Sequence, residues 1–139
     1  MPPLELRACI DVDDLEKGIA FYTQALGLRV GRRPSADIAE LLGASSPIDL
    51  LAKAPGTSAH TGTHASMRAY RRHWTPVHLD FVVPNLHAAV QRAQNAGAVL
   101  EGTLQTFAWG RMANMADPFG HGFCLIELQG RGYDAMSDA

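Results

Sequence analysis

The sequence has few of the features that mark secreted, membrane-spanning or nucleic-acid-binding proteins. It contains two cysteines, Cys9 and Cys124, which are far apart and form no Cys-x-x-Cys pair, so no disulfide framework is expected. No apolar run approaches the roughly 18 residues of a membrane helix, and no signal-peptide pattern opens the chain. A net charge of −2 offers no basic surface for nucleic acid or an anionic membrane. These absences predict a cytoplasmic protein with reduced thiols that contacts neither nucleic acid nor membrane.

The sequence does have a strand–helix unit that occurs twice. Residues 6–12 and 77–83 both alternate polar and apolar side chains, as a strand does when one of its faces is covered. The apolar side chains of both strands, including Leu6, are expected to pack under a helix. The opposite, polar face carries Arg7, Cys9, Asp11, His78 and Asp80.

Each copy continues into an amphipathic helix. The helices are predicted over residues 14–26 and 86–96, with Asp13 or Asp14 capping the first and Asn85 capping the second. The side chains expected to be buried along them recur at helical spacing. They are Leu15, Ile19, Tyr22, Leu26, Leu86, Val90 and Ala93.

Short strands are predicted after each helix. In order, they are expected near 28–32, 37–42, 47–53, 98–101, 109–115 and 122–128. Residues 38–42 fit a helical turn equally well, and a short helix is expected at 66–73. Consecutive short strands imply a mostly antiparallel sheet. The predicted fold class is therefore α+β, with two paired βαβββ modules forming an open, curved sheet around a cleft.

The domain organisation follows from this repeat. At 47% hydrophobic residues, the chain has the composition of one folded domain, residues 1–139. Its first module is predicted over about 1–54 and its second over about 77–130, with a connector at 55–76 that is rich in Gly, Ser, Thr, His and Arg.

Several segments resemble the vicinal oxygen chelate superfamily, which includes glyoxalase I, extradiol dioxygenases, fosfomycin-resistance enzymes and bleomycin-resistance proteins. The residues that carry the likeness are 14–17, 21–22, 25–28, 78–83 and 117–121. The last of these, Asp-Pro-Phe-Gly-His, is also expected to form a turn. The resemblance covers nearly the whole chain. It implies the fold above, a small-molecule site in the cleft between the modules, and a homodimer.

Glyoxalase-like members of this superfamily hold a metal with four residues, two from each module. The resemblance places these positions at Arg7, Asp49, His78 and Cys124. Asp49 and His78 are ordinary ligands, and a His, Asp and Cys set suits zinc, with nickel, iron or manganese as the other ions of the superfamily. Arg7, however, is a permanent cation that repels a metal. The leading expectation is therefore no cofactor, and the alternative is a divalent metal on Asp49 and His78.

Individual residues also have structural alternatives. Arg7 either clamps an anionic ligand or pairs with an internal carboxylate such as Asp49 or Asp80. Cys124 is expected to be a small core residue rather than a nucleophile. Glu127 is expected to be an exposed or edge residue, on the face opposite Cys124.

Two functions remain open at this stage. The leading hypothesis is a glyoxalase/bleomycin-resistance-like protein that binds a small polar or anionic organic molecule in the cleft, with no catalytic residue assigned. The alternative is a metal-dependent lyase, isomerase or dioxygenase of glyoxalase type that uses Asp49 and His78. The residues predicted to line the ligand site are Arg7, Cys9, Asp49, His78, Asp80, Trp109, Arg111 and Cys124.

Overall fold

The computed structural model describes residues 2–60, 62 and 66–137, and it divides into two compact units at the bond between Tyr70 and Arg71. The first unit contains five elements: β1 (Ala8–Val12), α1 (Leu15–Leu26), β2 (Arg29–Val30), β3 (Ile38–Leu42) and β4 (Ile48–Ala52). The second unit repeats this order and ends in a short helix. Its elements are β5 (Leu79–Val82), α2 (Leu86–Ala96), β6 (Val99–Phe107), β7 (Gly110–Ala116), β8 (Gly122–Leu128) and α3 (Asp134–Ser137).

Both units have the same sheet topology. The strand order is β1-β4-β3-β2 in the first sheet and β5-β8-β7-β6 in the second. The pairs β1–β4 and β5–β8 are parallel, and the remaining pairs are antiparallel. The predicted α+β fold of two βαβββ modules with open, mostly antiparallel sheets is therefore confirmed. Among the described residues, no helix is long and apolar enough to cross a membrane.

The two long helices begin and end where the sequence predicts. The Asp14 side chain accepts from the backbone N–H of Lys17 at 3.0 Å, and Asn85 accepts from that of Ala88 at 3.0 Å. Each helix ends at a glycine with a left-handed backbone, Gly27 or Gly97. These are local signals, so the sequence suffices to place both helices.

The buried stripe of α1 differs from the prediction. Ile19 and Leu26 are only half-buried, whereas Phe21, which the sequence analysis did not include, is buried. The stripe turns this way because Gly18 has no side chain, and a Cβ there would lie 3.1 Å from Val12. The helix thus sits close to the sheet along Gly18. On α2, the buried residues Leu86, Val90 and Ala93 are as predicted.

Other local predictions are corrected. Residues 66–73 form no helix, because the N–H and C=O of Arg68 bond to Thr57 and Gly56 instead of to a helical turn. Residues 38–42 are a strand, not a helical turn. Strand β6 runs on to Phe107, past a register shift between Glu101 and Gln105. Leu6 precedes β1 and is exposed rather than packed under a helix.

Candidate functional site

In the first unit, the polar face of the sheet is occupied by an ion pair. Arg7 lies directly before β1, and its Nε and Nη2 donate to the two carboxylate oxygens of Asp49 on β4 at 2.9 and 2.8 Å. This is the bidentate geometry in which arginine binds carboxylates most strongly. Both oxygens of Asp49 are therefore engaged by the protein itself.

A second carboxylate extends this pair. Glu40, opposite Asp49 in the β3–β4 ladder, is buried and accepts from Arg7 Nη2 at 2.6 Å. It also accepts from the backbone N–H of Arg32 at 3.1 Å and from its guanidinium at 3.0 and 2.7 Å. We call Arg7, Arg32, Glu40 and Asp49 the Arg7 network. Its two cations and two anions cancel.

The electrostatics of the Arg7 network favour the ionised state. Hydrogen bonds from Arg32 and then from Arg7 hold the pKa of Glu40 far below its usual range. The hydrogen bonds from Arg7 lower the pKa of Asp49. The same two carboxylates raise the pKa of Arg7, Asp49 contributing more than Glu40. At neutral pH the charges of the network pair with one another. This matches the alternative in which Arg7 pairs with an internal carboxylate.

In the second unit, different chemistry occupies the equivalent positions. Asp80 is opposite Cys124 in the β5–β8 ladder, as Cys9 is opposite Asp49 in the β1–β4 ladder. Asn114 is opposite Cys124, as Glu40 is opposite Asp49. His78, like Arg7, lies directly before the first strand of its unit. Cysteine and asparagine therefore stand in the second unit where two carboxylates stand in the first.

His78, Asp80 and Cys124 lie together, and we call them the His78 cluster. Their ligand atoms all lie within 4.8 Å of one another. His78 Nδ1 is 2.9 Å from Asp80 Oδ1, and these two side chains are 37% and 40% exposed. Cys124 is buried, and its thiol donates to Asn114 Oδ1 at 3.3 Å. The cluster thus joins one fixed thiol to two accessible polar groups.

The state of Cys124 follows from its burial. Burial raises the pKa of its thiol to about 11, and the nearby charge of Asp80 and a hydrogen bond with it act in the same direction. At neutral pH the free protein therefore holds Cys124 as a neutral thiol, which is a poor nucleophile. This agrees with the core role expected from the sequence.

We expect the two thiols to react with iodoacetamide at very different rates. Cys9 is exposed, whereas Cys124 is buried and has a pKa raised from 9.0 to about 11. The raised pKa alone should slow Cys124 about 100-fold at neutral pH, since only the thiolate reacts. Mass spectrometry should find one fast site, which Cys9→Ser removes. Fast modification of Cys124 in the folded protein would contradict this account.

Contacts with Arg72 and Glu101 hold Trp74 beside the His78 cluster. The Trp74 ring meets the His78 ring edge-on, with centroids 5.6 Å apart, and the indole is partly exposed. Its Nε1 donates to Glu101 at 3.2 Å, and the Arg72 guanidinium lies 4.8 Å above its ring. Arg72 also pairs with Glu101. Trp74 was not among the predicted site residues, and its position three residues before the predicted strand at 77–83 was the one available signal.

Two other predicted site residues lie elsewhere in the second unit. Trp109 stacks on Phe107 with centroids 5.0 Å apart and meets Tyr133 edge-on at 5.4 Å. Arg111 pairs with Glu127 at 3.0 Å and contacts His87 of α2 at 3.0 Å. In the β7–β8 ladder Arg111 is opposite Glu127, three residues from the Asn114–Cys124 pair, so its side chain points to the other face of the sheet.

The expectation that Glu127 is an exposed or edge residue is wrong, because its side chain is 13% exposed and β8 is an inner strand. The Glu127 side chain accepts from the backbone N–H of Leu86, the first residue of α2, at 2.7 Å, and from Arg111. The Leu86 N–H is the largest cause that lowers the pKa of Glu127 to about 2. Glu127 therefore satisfies the first backbone N–H of α2. This tertiary contact joins residues that are 41 positions apart, so no local sequence pattern predicts it.

The chain is similar to one family model and to several known proteins. A family model described as a glyoxalase-like domain matches residues 7–126. An uncharacterized protein of Mycobacterium tuberculosis (strain ATCC 25618 / H37Rv) is 33% identical over 82% of this chain and 68% of its own length. The anthracycline biosynthesis protein DauV of Streptomyces sp. (strain C5) is 30% identical over 91% of this chain, which spans 42% of that longer protein.

Solved structures show the same fold at low sequence identity. The fosfomycin resistance protein FosX of Listeria monocytogenes superposes with a TM-score of 0.72 at 16% identity, over 100% of both chains. TnmS3, an antibiotic-binding protein of Streptomyces sp. CB03234, superposes with a TM-score of 0.63 at 20% identity, covering 92% of this chain and 98% of that one. At these identities the likeness concerns the fold.

The first unit does not fit its half of a glyoxalase-type metal centre. One of its two ligand positions holds the cation Arg7, which has no lone pair to offer a metal. The other holds Asp49, and a metal would have to displace Arg7 from both of its oxygens. The donor chemistry that could hold a metal lies instead in the His78 cluster.

Proposed function

We propose that this chain, which belongs to the glyoxalase-like domain family, binds a small polar organic molecule at the exposed side of the His78 cluster. The observation that carries the proposal is the accessible His78–Asp80 pair beside the partly exposed ring of Trp74. A few fixed polar groups next to an aromatic surface are the usual composition of a small-molecule site.

The chemistry of His78 supports this role. Asp80 bonds to Nδ1 and so orients the imidazole ring. Within the described part of the chain, Nε2 of His78 has no hydrogen-bond partner. An imidazole oriented in this way offers Nε2 to a ligand.

The Arg7 network does not supply a free cation for an anionic ligand in the first unit. An anion gains most from a site with surplus positive charge, and the charges of Arg7 and Arg32 are already cancelled by Glu40 and Asp49. The arrangement also argues against the alternative of a lyase, isomerase or dioxygenase with Asp49 as a metal ligand. We therefore prefer binding to glyoxalase-type chemistry. The homodimer and the cytoplasmic location remain predictions.

The names of related proteins suggest the first probes. DauV is named for anthracycline biosynthesis, TnmS3 is described as antibiotic-binding, and FosX is a fosfomycin resistance protein. We choose an anthracycline as the principal probe, because DauV is 30% identical to this chain. Fosfomycin, which is small and anionic, is the contrasting probe. The account predicts that the anthracycline binds more tightly.

We expect His78→Ala to weaken anthracycline binding at least about tenfold, which corresponds to the loss of one good hydrogen bond. Fluorescence titration of the anthracycline measures this directly. His87→Ala is the matched control, since His87 is an exposed histidine of α2, and it should leave the dissociation constant within about twofold.

Two results would refute the proposal. One is an unchanged dissociation constant in both His78→Ala and Asp80→Asn. The other is equal weakening by the control His87→Ala. Circular dichroism of each variant verifies that the fold is retained.

A further inference from the structure

We propose that His78, Asp80 and Cys124 form a binding site for one zinc-like divalent cation, contained entirely in the second unit. The ligand atoms of these three side chains lie within 4.8 Å of one another. The inference is separate from the proposed binding of an organic molecule. It assigns a second capacity to the same cluster.

The backbone explains why the three donors converge. Asp80 and Cys124 are partners in the parallel ladder of β5 and β8. His78 precedes Asp80 by two residues, so both side chains lie on one face of the extended segment. The three donors therefore share one face of two neighbouring strands, and a rigid sheet holds two of them directly.

The donor set suits zinc-like ions. Thiolate, imidazole and carboxylate together favour borderline-soft cations such as zinc, cobalt(II) and cadmium over magnesium or calcium. Ligand bonds of about 2.0–2.3 Å in a tetrahedral site put the donor atoms roughly 3.3–3.8 Å apart. The cluster must therefore contract by about 1 Å, which rotation of the exposed His78 and Asp80 side chains can supply.

Asn114 completes the site. Its Oδ1 now accepts from the Cys124 thiol at 3.3 Å. When a cation binds, the thiol gives up its proton to solvent, and the Asn114 amide can turn to donate its NH₂ to the thiolate. Such support around the ligands commonly tunes metal affinity. Three protein ligands leave a fourth position for water or another small ligand.

This site differs from the four-residue centre that the family resemblance implies. It uses Asp80 in place of Asp49, and it needs nothing from the Arg7 network. The competing explanation is that the His78–Asp80 and Cys124–Asn114 hydrogen bonds simply satisfy one another. The two explanations predict opposite results when metal is added.

The test uses the full chain, freed of metal by a chelator and then titrated with cobalt(II) and with cadmium. No organic ligand is present. We expect a thiolate-to-metal charge-transfer band that saturates at one ion per chain. Cys124→Ser should abolish the band. Cys9→Ser is the matched control, because Cys9 is the other free cysteine and is exposed, and it should leave the band unchanged.

Variants of the two exposed ligands keep the test decisive if Cys124→Ser folds poorly. His78→Ala and Asp80→Asn should each weaken cadmium binding at least about tenfold. The controls His87→Ala and Asp37→Asn, at exposed positions elsewhere, should bind cadmium normally.

Three outcomes would overturn the metal site. They are the absence of a charge-transfer band, its loss in Cys9→Ser, and undiminished affinity in both His78→Ala and Asp80→Asn. Anthracycline binding measured in excess chelator is independent of all three. Failure of the metal site therefore leaves the proposed function standing, and failure of the proposed function leaves the metal site standing.

Discussion

Arg7→Ala is expected to lower the melting temperature by roughly 5–10 °C. The substitution removes the cation shared by Asp49 and Glu40, and Glu40 is only 3% exposed. Glu40 would keep its hydrogen bonds from Arg32, whereas Asp49, whose side chain is 15% exposed, would lose both hydrogen bonds from Arg7. A buried carboxylate that loses its partner is strongly destabilising, and circular dichroism or calorimetry measures the effect.

The matched control for this prediction is Arg33→Ala. Arg33 pairs with Glu16 at 3.0 Å on the surface, with side chains 42% and 76% exposed. Exposed pairs contribute little to stability, so the melting temperature should change by no more than about 2 °C. Equal effects of the two substitutions would show that the Arg7 network is not a special source of stability.

Gly120→Ala is expected to destabilise the second unit by more than about 3 kcal/mol. Gly120 ends the Asp-Pro-Phe-Gly turn with a φ of +86°, and a Cβ there would lie 2.3 Å from the Arg71 carbonyl oxygen. The Gly120 carbonyl also accepts from the His73 N–H at 2.9 Å. The glycine thus lets the connector approach the turn closely at His73, the residue that precedes Trp74.

Gly102→Ala separates the effect of the clash from that of the backbone conformation. Gly102 also has a positive φ, +74°, but a Cβ there would meet nothing within 4 Å. It should cost only about 1–2 kcal/mol. Urea denaturation of both variants measures the difference. Equal losses would mean that the approach of the connector contributes nothing.

The helices and the repeat were predictable because their signals are local. Asp14, Asn85, Gly27 and Gly97 bound the helices through contacts within a few residues. The alternation of residues 77–83 likewise separates the half-buried Leu79 and Phe81 from the exposed His78 and Asp80. Period and capping chemistry depend on neighbours in sequence, and sequence patterns record them directly.

The charge partners were harder to predict because they join distant segments. Arg7 and Asp49 are 42 residues apart, and Arg7 and Glu40 are 33 apart. The sequence suggested Asp49 as one partner of Arg7, but the uncertain strand at 38–42 hid Glu40. Glu40 is 3% exposed, and a carboxylate buried to this degree needs partners, which Arg7 and Arg32 supply.

The position of Arg111 was also hard to predict from the sequence, in this case because it depends on strand register. A shift of one residue in the pairing register changes the face to which every side chain of a strand points, and the sequence does not define the register of the strand that holds Arg111. Arg111 faces α2, where it pairs with Glu127 and contacts His87. Its predicted place in the ligand site depended on strand register, which composition alone does not set.

The central claim is that the first unit uses its polar face for internal stability, whereas the second unit offers its polar face to a ligand. The most direct test compares the anthracycline dissociation constants of Arg7→Ala and His78→Ala, at a temperature where both variants remain folded. The account predicts that Arg7→Ala binds within about twofold of the unmodified protein and that His78→Ala binds at least about tenfold more weakly. Loss of binding in Arg7→Ala with full binding in His78→Ala would contradict it.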